Sequence, residues 1–244
     1  MDQSNYKKAS FCYLIGNFFN KGLAFLTIPN FTRLLSTSDY GLINTYSSWG
    51  GIIIMFMGLS LQMGIRTAFI DYYNNVKDYV STIIKFTTFF SLIFTVLIVS
   101  VVKLFNINIP ISLVIMCLVN SYSCAIIEDI STYYMMKFKY VKRTVLMIVP
   151  NLLSVITAII IIRFALKENL YYGKIVPEVF FTTIFAVILA IYYSKGNKFN
   201  KQYIKHGLKI SVPLILHGAA LNILSNSDRI MITWLADASQ AGIY

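Results

Sequence analysis

A lysine stands ten residues into the first long apolar run of this chain. Lys21 is accompanied by Gly16, Asn17, Asn20, Ala24 and Thr27 at spacings of three and four, while Phe18, Phe19, Leu23, Phe25 and Leu26 cover the rest of the turn. On a helix this makes one small, polar stripe on an otherwise apolar rod. A charge at the centre of a bilayer costs about 2.5–3.5 kcal/mol on insertion scales, so Lys21 is expected to face a water-filled cavity, to snorkel, or to pair with an acid on a neighbouring helix. The last apolar run carries a second such stripe: Asn222, Asn226, Arg229 and Thr233. Asp228 adjoins Arg229 but points about 100° away around the helix, toward some other partner. Two readings stand for these amides, glue between helices or two polar faces opposed across a central cavity. The chemistry is that of binding and passage rather than of bond making.

Other candidates are sparser. Arg66, just past the second apolar run, is either an interfacial anchor or a cationic lip of the cavity. Glu128 and Asp129 lie upstream of Lys137 and Lys139, which makes them interfacial ion-pair partners or a proton or cation coupling site; Asp228 is the third coupling candidate. Glu178 follows Pro177 near the start of the sixth run and reads as interfacial. Neither His206 nor His217 belongs to a catalytic or metal-binding constellation. Cys12, Cys117 and Cys124 have no metal or redox spacing and read as small buried residues. A phosphate-cradling Walker A loop is absent, so ATP hydrolysis by this chain, a catalytic role, a metal and a cofactor are not expected.

The elements that must position these residues follow from composition. The 244-residue chain is 57% hydrophobic and 13% charged, against about 25% charged in soluble domains. Its apolar residues fall into runs near the roughly 20 residues needed to cross a bilayer. These predict an all-α, polytopic transmembrane bundle, with spans at residues 11–35, 41–63, 81–104, 109–130, 144–166, 175–193 and 210–235. Pro29, Pro150, Pro177 and Pro213 fall inside the spans, where proline kinks a helix. The first run is too long for a signal peptide and lacks a small-residue cleavage site.

The net charge of +11 is distributed by side rather than in a patch. With the N-terminus in the cytoplasm, fourteen of the 21 Lys and Arg residues fall inside, five outside, and Lys21 and Arg229 lie deeper in spans. The positive-inside rule therefore places the N-terminus in the cytoplasm and makes nucleic acid an unneeded partner. The same orientation supports an internal repeat. Residues 8–42 align without a gap to residues 209–243, with seven identities: Lys8/Lys209, Ser10/Ser211, Leu23/Leu224, Thr32/Thr233, Leu34/Leu235, Ser38/Ser239 and Gly41/Gly242. Asn222 then falls opposite Lys21. The first and seventh spans run in the same direction, as parallel repeats of secondary transporters do. The expected layout is a first six-helix lobe over residues 1–205 and the first helix of a second lobe over 206–244, the chain being the N-terminal portion of a longer arrangement.

These residues resemble a known group. Lys-Lys-Ala-Ser…Gly16-Asn-Phe-Phe-Asn-Lys-Gly22, then Arg33-Leu-Leu-Ser-Thr-Ser-Asp39-Tyr40-Gly41-Leu42, is similar to the opening of bacterial Wzx-type polysaccharide-biosynthesis flippases, in the multidrug/oligosaccharidyl-lipid/polysaccharide exporter superfamily. Gly64-Ile-Arg66-Thr-Ala-Phe-Ile-Asp-Tyr-Tyr73 and Asp228-Arg229-Ile-Met-Ile…Ala241-Gly242-Ile243-Tyr244 carry the resemblance further. It implies two lobes around a cavity in the bacterial cytoplasmic membrane. The implied cargo is an undecaprenyl-pyrophosphate-linked oligosaccharide, flipped outward by alternating access for O-antigen, capsule or related polymer export. Lys21, Arg66 and Arg229 would meet the anionic groups, and Asn17, Asn20, Asn222 and Asn226 the sugar hydroxyls. The implied partners are the lipid-linked oligosaccharide, membrane lipids, and the polymerase and glycosyltransferases of the pathway. The alternatives are a cation-coupled multidrug exporter of the same superfamily and a membrane-embedded enzyme or subunit of a polysaccharide pathway. A drug exporter would more naturally carry a carboxylate in the first helix, which here has Lys21 and no acid before Asp39.

Overall fold

The computed structural model describes residues 3–106, 109–164, 166, 168–195 and 199–235, and every regular element among them is helical. In chain order these are α1 (Gln3–Leu34), α2 (Thr37–Gly58), α3 (Gln62–Asp71), α4 (Val76–Leu104), α5 (Ile111–Met136), α6 (Tyr140–Phe164), α7 (Tyr171–Ser194) and α8 (Lys201–Leu235), with a single 3-10 turn at Tyr73–Asn75. Five stretches among the described residues are long and apolar enough to cross a membrane: Thr37–Asp71, Tyr73–Leu104, Ile111–Met136, Tyr140–Phe164 and Tyr171–Ser194. They coincide with the second to sixth predicted spans. The first and seventh correspond to α1 and α8, which at 32 and 35 residues have the length to cross but are more polar.

The distribution of side chains is that of a protein packed in lipid. On α4, Phe89, Leu92, Ile93, Val96 and Leu97 form an exposed stripe, while Thr82, Thr87 and Ser91 face inward and are buried. Lipid tails are as apolar as leucine, so burying apolar surface gives little drive between helices. Close packing of small residues and interhelical hydrogen bonds take its place. Gly58 of α2 lies against Ala125 of α5 so closely that a Cβ on the glycine would sit 2.8 Å from the alanine Cβ. Central α5 packs against α2, α3, α4, α6 and α7. α1 packs on α6 and touches α2; α8 packs on α2, α3 and α4. α1 and α8, the two helices with the predicted polar stripes, both touch α2 and make no contact with each other among the described residues.

Local chemistry sets the ends. Leu35 and Ser36 alone separate α1 from α2. The Ser36 hydroxyl accepts the Asp39 N–H at 3.0 Å and donates to the Asp39 carboxylate at 2.6 Å, a reciprocal cap that also places an acid at the positive end of the helix dipole.

Most helices extend several residues beyond the hydropathy reading, and three boundaries change the picture. The second span does not end near residue 63: the chain breaks at Leu59 and Ser60, both with positive φ (48° and 49°), and resumes as α3. Left-handed backbone costs a non-glycine residue roughly 1–2 kcal/mol. Leu61 N–H restores a bond to Gly58 O at 3.1 Å and Met63 N–H one to Ser60 O at 3.0 Å, as a break at membrane depth requires. α7 begins at Tyr171, four residues before the predicted start, which places Pro177 and Glu178 inside the bundle. α8 begins at Lys201, inside what reads as a basic loop. Tyr203 and Gly207 are buried there while Lys201, Lys205 and Lys209 are exposed, an amphipathic start that an average over the window conceals. The expected lobe boundary at 205/206 thus falls within a continuous helix.

Candidate functional site

The α1 stripe divides in two. Gly16 is buried against Thr144 of α6. Asn20 donates from Nδ2 to Met147 O at 3.4 Å and accepts from Asn151 Nδ2 at 3.2 Å, both on α6. Thr27, on the same side, is buried as well. This side of α1 joins two helices. Lys21 is exposed, and at about 100° per residue it lies some 100° around the helix from Asn20. An open apolar groove of about 560 Å³ runs along α1, lined by Leu14, Ile15, Phe18, Phe19, Gly22, Leu23 and Leu26. Lys21 stands at its edge, about 20° around the helix from Leu14. The helix therefore presents an apolar channel with one cation on its margin. The side chain of Asn17 lies outside the described residues, as do those of Asn222, Asn226, Asp228 and Arg229 on α8.

A second set of groups gathers where α3 ends and α4 and α8 begin. Arg66, on α3 one turn past the helix break, is exposed, and its electrostatic partner is Glu128 of α5. The cation expected opposite Glu128 was Lys137 or Lys139; instead Lys137 Nζ rests 5.2 Å from the Tyr133 ring. Next along α5, Asp129 turns the other way. It is 1% exposed, packed among the inward residues of α4 and α5, and its Oδ2 has no hydrogen-bond partner among the described residues. Buried carboxylates without partners are costly and rare, and in a membrane such a residue marks a functional site by default.

His206, which sequence reasoning set aside, is the hub of the joint beside them. Its Nε2 lies 2.9 Å from Asp71 Oδ2 and its Nδ1 lies 3.0 Å from the Tyr79 hydroxyl. A neutral ring with its proton on Nε2 satisfies both, donating to the carboxylate and accepting from the phenol. Tyr72 and Tyr79 pack their rings against it, and Tyr203 packs against both of them. Gly64 and Gly207 let α3 and α8 meet backbone to backbone: a Cβ on Gly64 would sit 2.8 Å from Gly207 Cα. The joint ties α8 to the rest of the bundle. Its signal in the sequence was the spacing of Tyr203, His206, Gly207 and Ile210, one helical face inside a nominal loop.

A third set lies at the end where α2, α5 and α7 begin. Asn120 of α5 donates from Nδ2 to Glu178 Oε1 of α7 at 3.2 Å, and Thr182 donates to Asn120 Oδ1 at 2.8 Å. Lys174, one turn before Glu178, acts on it electrostatically and places its Nζ 5.2 Å from the Phe31 ring of α1. Glu178 is therefore part of a network between helices. The i, i+4 spacing of Lys174 and Glu178 was legible; the depth of the pair was not, because it depends on where α7 starts.

No group of three or more His, Cys, Asp or Glu that could hold a metal occurs among the described residues. What the sites offer is cations, amides and buried acids around an apolar framework, fit for holding an amphipathic anion and for moving charge. No curated protein and no solved structure matches the chain significantly. A sequence model described as "polysaccharide biosynthesis protein" matches residues 6–244, nearly the whole length. An all-helical fold with five membrane-capable stretches and a match of that extent make this chain a member of the polysaccharide biosynthesis protein family.

Proposed function

We propose that this protein is a flippase that carries undecaprenyl-pyrophosphate-linked oligosaccharide across the bacterial cytoplasmic membrane, with its N-terminus in the cytoplasm, for export of surface polysaccharide. The observation that carries the reading is on α1: an apolar groove with an exposed lysine at its edge. The cargo has a long apolar tail joined to a pyrophosphate, and this is the surface chemistry it needs. The tail lies along Leu14, Phe18 and Leu26, and the pyrophosphate meets Lys21. Arg66 and Arg229 supply further positive charge, and Asn17, Asn222 and Asn226 bond the sugar hydroxyls. Asn20 is committed to α6, so its part is to orient α1. Glu128, Asp129 and Asp228 are the coupling acids, Glu128 opposite Arg66 and Asp129 buried. Alternating access follows from movement of α1 and α8, which do not touch among the described residues, about α2. Polymerase and glycosyltransferases of the pathway are the expected functional neighbours.

The experiment is substitution of Lys21 and Arg66 by alanine, singly and together, scored by polymer export in cells. Both side chains are exposed, so folding is expected to survive. Each single change lowers export and the double change lowers it at least about tenfold, the loss of a charge-assisted contact or two. Full export by the double variant would sink the cationic-groove reading.

A further inference from the structure

The third set of groups goes beyond that reading and stands without it. Glu178 lies seven residues into α7, and Asn120 and Tyr46 nine residues into α5 and α2, so all three sit about 10–14 Å below the same end of the bundle. A carboxylate at that depth needs its charge matched. The match here is incomplete by construction. Oε1 takes the Asn120 amide, while Oε2 accepts no hydrogen bond among the described residues. Lys174 stands one turn nearer the end of the helix as an electrostatic neighbour, and no ion pair within 4.0 Å joins the two. The Lys174 ammonium instead leans toward the Phe31 ring on α1. The amide is held in its orientation by Thr182, so the donor it presents to the carboxylate is fixed. Glu178 in turn acts electrostatically on the Tyr46 hydroxyl of α2 and on the Cys117 and Cys124 thiols of α5. From α4 and α6 no charged group acts on it among the described residues.

We propose that Glu178, Lys174 and Asn120 form a proton-binding site inside the first lobe, loaded from the aqueous phase at the end where α2, α5 and α7 begin. The ligand is a proton and not a metal ion, because one carboxylate and one amide beside a lysine are too few oxygen ligands, and too positively flanked, for a metal cation. In loading, a lone pair on Oε2 forms the O–H bond with a proton delivered by water, and no other bond breaks in the protein. The Glu178–Lys174 pair passes from neutral to singly positive. The ammonium then loses its counter-charge and is held by the Phe31 ring alone, so the proton's arrival is felt at α1. Release restores the pair and draws Lys174 back to α7.

The test is infrared difference spectroscopy of the whole chain in lipid vesicles, between alkaline and acid pH, in light and heavy water. A protonated carboxyl carbonyl band that moves on deuteration is expected, and it vanishes in Glu178→Gln. In Lys174→Met the band persists but forms at a proton concentration about tenfold lower, since the competing ammonium is gone. Asn120→Leu, which leaves both charged groups in place, shifts the band frequency and thereby reports on Glu178 if the glutamine variant fails to fold. A spectrum with no band that responds to Glu178→Gln or Asn120→Leu overturns the proposal. So does a band that sodium ions displace at constant pH, which would make the ligand a metal ion.

Discussion

Adding one methyl group at Gly64 is expected to destabilise the protein by about 1–3 kcal/mol, the usual cost of overpacking a site that cannot yield. The new Cβ of Gly64→Ala would stand 2.8 Å from Gly207 Cα and 2.9 Å from the Tyr79 hydroxyl. Neither can withdraw cheaply. The first is the backbone of α8; the second is fixed by its bond to His206. The methyl therefore pushes α3 and α8 apart and strains the Asp71–His206–Tyr79 connection at the root of α8. Gly22 provides the internal control, because a Cβ there meets nothing within 4 Å. Gly22→Ala is expected to be neutral or to stabilise by about 0.5–1 kcal/mol through helix propensity alone. Thermal unfolding in detergent separates the two: the midpoint falls for Gly64→Ala and holds or rises for Gly22→Ala. Equal midpoints would mean that the crossing of α3 and α8 is not the close contact described.

Asp129→Leu is expected to move stability and transport in opposite directions. Asp129 is 1% exposed with one carboxylate oxygen unpartnered, and leucine has the same branched outline. Replacing an unsatisfied buried polar group by an apolar one of similar shape is neutral or stabilising, here by about 1–3 kcal/mol, the desolvation penalty recovered. If Asp129 is a coupling acid, polymer export nevertheless collapses toward background, because the group that must change charge state is gone. A side chain kept only for structure would move both readings together. Unfolding midpoint and export, measured on the same variant, decide between these roles, and a variant that is both more stable and fully active removes Asp129 from the mechanism.

How much of this was legible beforehand depends on the range of the interaction concerned. Hydropathy alone located the helices, because a run such as 81–104 must be helical to satisfy its backbone in lipid. The break at Leu59 and Ser60 left no mark, since neither residue is the glycine or proline that usually announces one. The start of α8 was hidden because Lys201, Lys205 and Lys209 dominate an average that Tyr203 and Gly207 contradict one face at a time. The polar stripe on α1 reads as one set in the sequence, but periodicity could not tell which edge would meet α6. Only the bonds from Asn20 to Met147 and Asn151 assign that edge, and they join residues more than a hundred positions apart. The pairing of Arg66 with Glu128, and of Asn120 with Glu178, is of the same long-range kind. Lys137 and Lys139 looked the nearer partners for Glu128 in sequence and are not the groups that act on it.

The proposed cargo also explains why charge and grease share one helix. A drug exporter of the same build would more naturally carry a carboxylate on its first helix, where α1 has Lys21. A membrane enzyme would more naturally cluster its reactive groups, whereas Asp129 and Glu178 lie on different helices, Glu178 bonded to Asn120 and Asp129 with an unpartnered oxygen among the described residues.

The most direct test of the account follows the lipid-linked oligosaccharide itself. In cells from which this protein is depleted, the two leaflets of the cytoplasmic membrane are probed for the sugar with an impermeant oxidant or lectin, before and after the membrane is opened. The account predicts that the lipid-linked oligosaccharide accumulates on the cytoplasmic leaflet and reaches the outer leaflet again when the protein is restored, but not when the Lys21→Ala, Arg66→Ala form is. An unchanged distribution between leaflets upon depletion would contradict it.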